Sequence, residues 1–159
     1  MKNRNLLILI AGLFSFFISC KGQTKNEPQI IVSDKFKVGQ VWRYDNRPGE
    51  DSSTLTILKI EKYEKGDTII HIRIDGVRIY NPQLPSGYSD FIAHLPYSEK
   101  ALSKCVTSLV GQNDTLPDFS EGYKEWNEAF DNGKAGCWTA DIKEAVDGID
   151  QAMRPKKEN

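Results

Sequence analysis

His71 and His94 are the only imidazoles in this 159-residue chain, and Cys20, Cys105 and Cys137 its only thiols. A metal centre needs several Cys, His or carboxylate ligands that converge at characteristic spacing. The two histidines stand far apart, and no HxH, HExxH or CxxC spacing occurs, so no metal and no cofactor is expected. Glu61 falls opposite His71 in the strand pairing argued below. That pair is either a two-ligand seed or a surface Glu–His contact worth under ~1 kcal/mol. Nucleophilic catalysis needs a Ser or Cys beside a base. No GxSxG occurs, and the closeness of His94 to Ser89, Asp90 and Ser98 in sequence is not triad geometry. The glycine-rich phosphate loops are also missing. Tyr80, Tyr88, Phe91, His94 and Tyr97 crowd a stretch that also holds Pro82, Pro85 and Pro96. Residues 81–96 read as a long irregular loop, and such loops are often functional. Its aromatics either form a recognition surface or plug the end of the sheet. Cys105 and Cys137 either pair, which is worth about 3–4 kcal/mol in the chain-entropy model, or stay as two buried thiols.

The elements that must position these groups follow from periodicity. Residues 40–44 read as a short strand after a turn at Gly39, and 46–53 as a loop with Pro48 and Gly49. Residues 55–63 and 68–75 are the clearest strands, rich in Ile and Thr. Ile70, Ile72 and Ile74 share one face, and His71, Arg73 and Asp75 the other. Setting Leu58 and Ile60 on the isoleucine face pairs Ile60 with Ile72 and Leu58 with Ile74, around a Lys65-Gly66-Asp67 turn. Glu61 then meets His71, while Leu55 and Ile57 point outward. Gly76 marks a bulge or a strand break. Three helices are expected after the loop. Ser98 caps the first, whose apolar face runs Ala101, Leu102, Cys105, Val106 and Leu109. The second opens on the capping-box spacing of residues 118–121 and carries Tyr123, Trp126 and Phe130, ending at Asn132-Gly133. Thr139 caps the third, with Ile142, Ala145, Val146, Ile149 and Met153 in its stripe. Strands first and helices after predict an α+β fold: a small antiparallel sheet with three helices packed on one face. The tryptophans Trp42, Trp126 and Trp138 read as core.

The N-terminus has a different character. Lys2 and Arg4 precede an uncharged run over residues 6–18, which as a helix spans about 20 Å, short of a ~30 Å hydrocarbon core. That is the pattern of a secretory leader rather than a membrane span. Phe17-Ile18-Ser19-Cys20 resembles the lipobox of bacterial lipoproteins, in which cleavage precedes a cysteine that carries a diacylglycerol. Ser19 fits that pattern, whereas Phe17 and Ile18 depart from its commoner residues. The resemblance implies lipidation of Cys20 and anchoring in the bacterial envelope. Lys21, where some lipoproteins carry an aspartate, points to the outer membrane. The competing reading is ordinary secretion with cleavage after Gly22. The chain thus divides into a signal peptide (1–19), a lipidated tether (20–35), one domain (36–154) and a polar tail (155–159).

The body resembles a group of small bacterial secreted proteins. The likeness is carried by residues 36–44, by Arg47-Pro48-Gly49-Glu50, by His94-Leu95-Pro96-Tyr97-Ser98 and by residues 129–136. It implies no activity and no catalytic residue. Asp67-Thr68-Ile69 and Asp114-Thr115-Leu116 resemble the O-glycosylation acceptor of the Bacteroidota, marking Thr68 and Thr115. Composition is globular: 39% hydrophobic, 27% charged, net charge −1. No basic excess points to nucleic acid. The expected function is a non-enzymatic binding or accessory domain on a lipid anchor. Its partner would be the membrane together with an envelope protein or a small molecule. Alternatives are an inhibitor or immunity protein against an envelope enzyme, and a small hydrolase using His94 or His71 as base.

Overall fold

The computed structural model describes residues 33–63 and 68–155. The leader, Cys20, most of the tether, the Lys65-Gly66-Asp67 turn and residues 156–159 lie outside the described residues. The elements are β1 (Gln40–Tyr44), β2 (Thr54–Lys62), β3 (Thr68–Tyr80), β4 (Tyr88–Ser98), α1 (Glu99–Cys105), β5 (Val106–Gln112), α2 (Ser120–Asp131) and α3 (Ile142–Met153). The strands form one antiparallel sheet in the order β4-β3-β2-β1-β5. The α+β class follows. Ser33, in the expected tether, is already buried, and its hydroxyl accepts from the amides of Lys35 and Phe36.

The β2–β3 register corrects the expected one. Ile60 faces Ile70, and Lys59 faces His71. A bulge then intervenes between Ile57 and Lys59, with Leu58 as the extra residue. Beyond it Ile57 faces Ile72 and Leu55 faces Ile74. One inserted residue reverses which side chains point inward. Leu55 and Ile57 therefore join Ile60, Ile70, Ile72 and Ile74 in the main core instead of facing outward. Gly76 makes a second reversal within a continuous β3. Its φ of +76° and the register shift after Asp75 turn Val77 and Ile79 to the core.

Most of the expected 81–96 loop is strand. Only residues 81–87 are loop, closed by bonds from Asn81 N to Gly87 O (2.8 Å) and from Gly87 N to Leu84 O (2.9 Å). Pro96 is tolerated because β4 is an edge strand. Its carbonyl accepts from Trp138 N on the outer side, so the missing amide costs no bond to β3. Ser98 caps α1 as expected, its hydroxyl accepting from Ala101 N at 3.1 Å. The helix stops at Cys105, earlier than its apolar spacing suggested. Val106, Thr107 and Val110 belong to β5, where β-branched residues sit well. Phe119, with no side-chain cap, precedes α2, and Asp141 rather than Thr139 is the N-cap of α3. Ile142, Ala145 and Val146 bury the inner face of α3, whereas Met153 is exposed. The three helices do not share one face as expected: α1 and α3 cover the isoleucine face, while α2 packs over the His71 face through Trp126 and Tyr123.

A side chain at Gly76 would strain a left-handed backbone, and its Cβ would sit 3.1 Å from Ser53 Cα. Gly76→Ala should therefore cost about 2 kcal/mol or more. Gly49→Ala, at φ +84° with nothing within 4 Å, should cost about 1. Urea denaturation of the two variants checks the ordering.

Candidate functional site

Strand alternation places Lys59 and Glu61 of β2, His71 of β3 and His94 of β4 on the face beneath α2. Glu61 is 1% exposed and His71 0%. The Glu–His pair is thus fully buried rather than a surface contact. His71 Nε2 donates to Glu61 Oε2 at 3.0 Å, and His71 Nδ1 is hydrogen-bonded to His94 Nε2 at 2.8 Å. Tyr123 Oη donates to Glu61 Oε1 at 2.7 Å and accepts from Lys59 Nζ at 2.6 Å. The Lys59 ammonium also lies 2.5 Å from Oε1, and Tyr63 Oη donates to Oε2 at 3.2 Å. Trp126 lies edge-on to His71 at 4.7 Å, and Phe119 stacks on His94 at 6.3 Å. Gly122 lets α2 approach so closely: a Cβ there would come within 3.1 Å of His94 Cβ.

These contacts set the charges. Burial pushes the Glu61 carboxyl up, but the bonds from His71, Lys59 and Tyr123 outweigh it and bring it down to about 2. Burial pushes Lys59 down, yet its bonds to Glu61 and Tyr123 leave it above its ordinary value. His94 is lowered to about 4, by burial first and then by repulsion from His71, against the pull of Glu61. A buried anion, its cation and two stacked imidazoles form one bonded chain.

Both nitrogens of His71 are engaged. Among the described residues, His94 Nδ1 is the one imidazole nitrogen without a hydrogen bond, and it lies against Gly122 of α2. Neither histidine is hydrogen-bonded to a serine or cysteine among the described residues. Nor is any group of three or more His, Cys, Asp or Glu side chains gathered there to hold a metal ion.

The expected aromatic set divides three ways. His94 joins the chain above. Tyr97 is buried in the isoleucine-side core, with its hydroxyl unpartnered. Tyr80, Tyr88 and Phe91 meet near the tip of the β3–β4 hairpin. There an open groove of about 670 Å³ is lined by Val77, Arg78, Leu84, Pro85, Tyr88 and Phe91. Leu84 is 41% exposed and Phe91 39%. The Arg78 guanidinium lies 3.9 Å over the Tyr88 ring, Arg73 lies 4.1 Å over Phe91, and Tyr80 meets Tyr88 edge-on at 6.0 Å. This end is braced. Arg78 N donates to Glu50 at 2.7 Å, Arg47 donates to Arg78 O at 3.1 Å, and Tyr80 N donates to Asp150 of α3 at 2.6 Å.

Sequence reasoning missed Lys59 and Tyr123 as partners of Glu61, and Arg73 and Arg78 as partners of the hairpin aromatics. The spacing of Tyr123, Trp126 and Phe130 was the available signal for the first, since an aromatic helix face must find a sheet to cover. Cys105 and Cys137 are not bridged to each other. Cys105 sits in the isoleucine-side core, whereas Cys137 packs against the α2-side cluster. Thr115 is exposed, while Thr68 is buried. Trp126 is buried as expected, but Trp138 is partly exposed and borders the β4 edge. No protein-family model matches the chain, and no curated protein or solved structure matches it significantly.

Glu61→Gln removes the buried carboxylate to which Lys59, Tyr63, His71 and Tyr123 donate and should cost about 3 kcal/mol by urea denaturation. The wild-type domain should also lose stability with acid in two stages. Unfolded His94 takes up a proton near 6.5, whereas the folded ring does so only near 4, so stability falls as pH drops through that window. The slope there is at most about 1.4 kcal/mol per pH unit. Between 4.5 and about 2 the stability held by ionised Glu61 is lost in turn. His94→Gln should remove the upper stage and leave the lower.

Proposed function

We propose that this chain is a lipid-anchored protein of the bacterial envelope whose folded domain binds a partner without catalysing a reaction, through the tip of the β3–β4 hairpin. One observation carries the reading: exposed Leu84 and Phe91 flank a groove in which guanidinium groups are laid over Tyr88 and Phe91. Aromatic and arginine side chains around an apolar patch are the composition of interaction hot spots. Bracing by Glu50, Arg47 and Asp150 holds that surface in place before a partner arrives, which lowers the ordering cost of binding. The histidines give no support to a catalytic alternative by hydrogen bonding, since His71 bonds to Glu61 and His94, and both rings pack against the aromatic side chains of α2. The anchor rests on the resemblance of the residues before and at Cys20 to a lipobox. It would tie the domain to the outer membrane, and several acyl chains hold such a protein firmly.

Two measurements test this. Radiolabelled palmitate should enter the wild-type protein and be absent from Cys20→Ala. A stoichiometric partner captured from solubilised envelope should be lost from the Leu84→Glu/Phe91→Glu double variant and retained by His94→Gln. A partner or activity that survives the hairpin substitutions and disappears with His94→Gln, in a folded protein, would overturn the reading.

A further inference from the structure

We propose that the His71–His94 contact is an acid-released latch: when both rings are cationic, α2 lifts from the sheet while the strands, α1 and α3 stay folded.

Geometry limits the protons this pair can hold. Neutral His71, donating through Nε2 to Glu61, presents a bare Nδ1 to His94 Nε2 at 2.8 Å. One added proton on either ring preserves that hydrogen bond, because one of the two facing nitrogens stays bare. A second sets N–H against N–H and leaves two cations in stacked rings 5.0 Å apart. The surrounding groups do not offset this. From β2, Glu61 faces the pair, but its carboxylate is already held by Lys59. Tyr123 of α2 meets both rings as a neutral phenol, and Phe119 and Trp126 of the same side of the site carry no charge. Glu121, Lys124, Glu125 and Glu128 of α2 are exposed. Lys59, His71 and His94 would then be three cations around one anion.

The repulsion falls on α2. The rings cannot part by moving their strands, because β3 and β4 are paired on either side of them: His71 faces Pro96, Ile72 faces Leu95 and Ile74 faces Ile92. The covering helix is more lightly held. The cluster beneath it buries Tyr63, Ile69 and Trp126, and it is separate from the core under α1 and α3. A Cβ at Gly122 would come within 3.6 Å of His94 Nδ1, so full hydration of a charged ring requires the helix to move. An uncovered histidine takes up its proton near 6.5, whereas docked His94 does so near 4, lowered by burial and then by His71. The opened form therefore binds more protons, and acid favours it. Opening uncovers Tyr123, Trp126 and Phe130, an aromatic helix face that neutral pH keeps against the sheet. The acid response is thus local before it is global.

Amide hydrogen exchange of the full chain in detergent, corrected for the intrinsic effect of pH, tests the latch at about pH 7 and about pH 3.5. The lower value lies below the His94 transition and above that of Glu61. There, protection of α2 should fall by about tenfold or more relative to β3 and α3. His94→Gln, which cannot supply the second cation, should keep α2 protected at the lower pH. In the wild type, the ring C–H resonances of the two histidines should show opening that tracks the charging of the second ring, a readout that needs no variant to fold. An α2 that keeps its protection in acid would overturn the proposal. So would parallel losses in α2 and α3, or a His94→Gln protein, folded by circular dichroism, that opens as the wild type does.

Discussion

A carboxylate can stay ionised with 1% of its surface in water only if donors replace the water it has lost. Glu61 meets that condition with four donors: Lys59 and Tyr63 from or beside its own strand, His71 from β3 and Tyr123 from α2. His71 passes the connection on to His94 of β4. One side chain thus ties three strands and a helix together. This matters because the apolar contribution on that side is small. The main core gathers eighteen buried residues around α1 and α3, whereas only Tyr63, Ile69 and Trp126 are buried in the cluster beneath α2. Docking of α2 depends on the polar seam and on the rings stacked around it.

The same seam decides what the histidines can do. Two imidazoles in line with a carboxylate have the order of a proton relay, one end of which is the buried Glu61 carboxylate and the other the partly buried His94 ring against α2. Exposed apolar and aromatic surface is found elsewhere, at the braced end of the β3–β4 hairpin and along β5.

Much of this was legible in the residues. The Ile70, Ile72 and Ile74 alternation, the Ser98 cap and the stripe of α3 identify a sheet and its covering helix from periodicity alone. Glu61 and His71 were placed on one face even though the pairing was off by two residues, because a two-residue slip preserves the face. The bulge at Leu58 was hidden because Leu55, Ile57, Leu58 and Ile60 offer apolar side chains to either alternation. Strand β4 was masked by its three neighbouring prolines and glycine, two of the prolines lying in the turn and the third, Pro96, on an edge strand where its carbonyl, not an amide, meets Trp138. The apolar spacing from Ala101 to Leu109 fits a helix as well as a helix followed by a strand, so β5 was missed. The meeting of His71 with His94 follows from the β3–β4 pairing, and no local pattern encodes it.

The central claim is that Glu61 holds α2 on the sheet. Amide hydrogen exchange of the wild type and of Glu61→Gln, compared helix by helix, tests it most directly. The account predicts that the substitution speeds exchange in α2 far more than in α3, whose own core is untouched. Equal protection of α2 in both proteins, or a uniform loss across both helices, would contradict it.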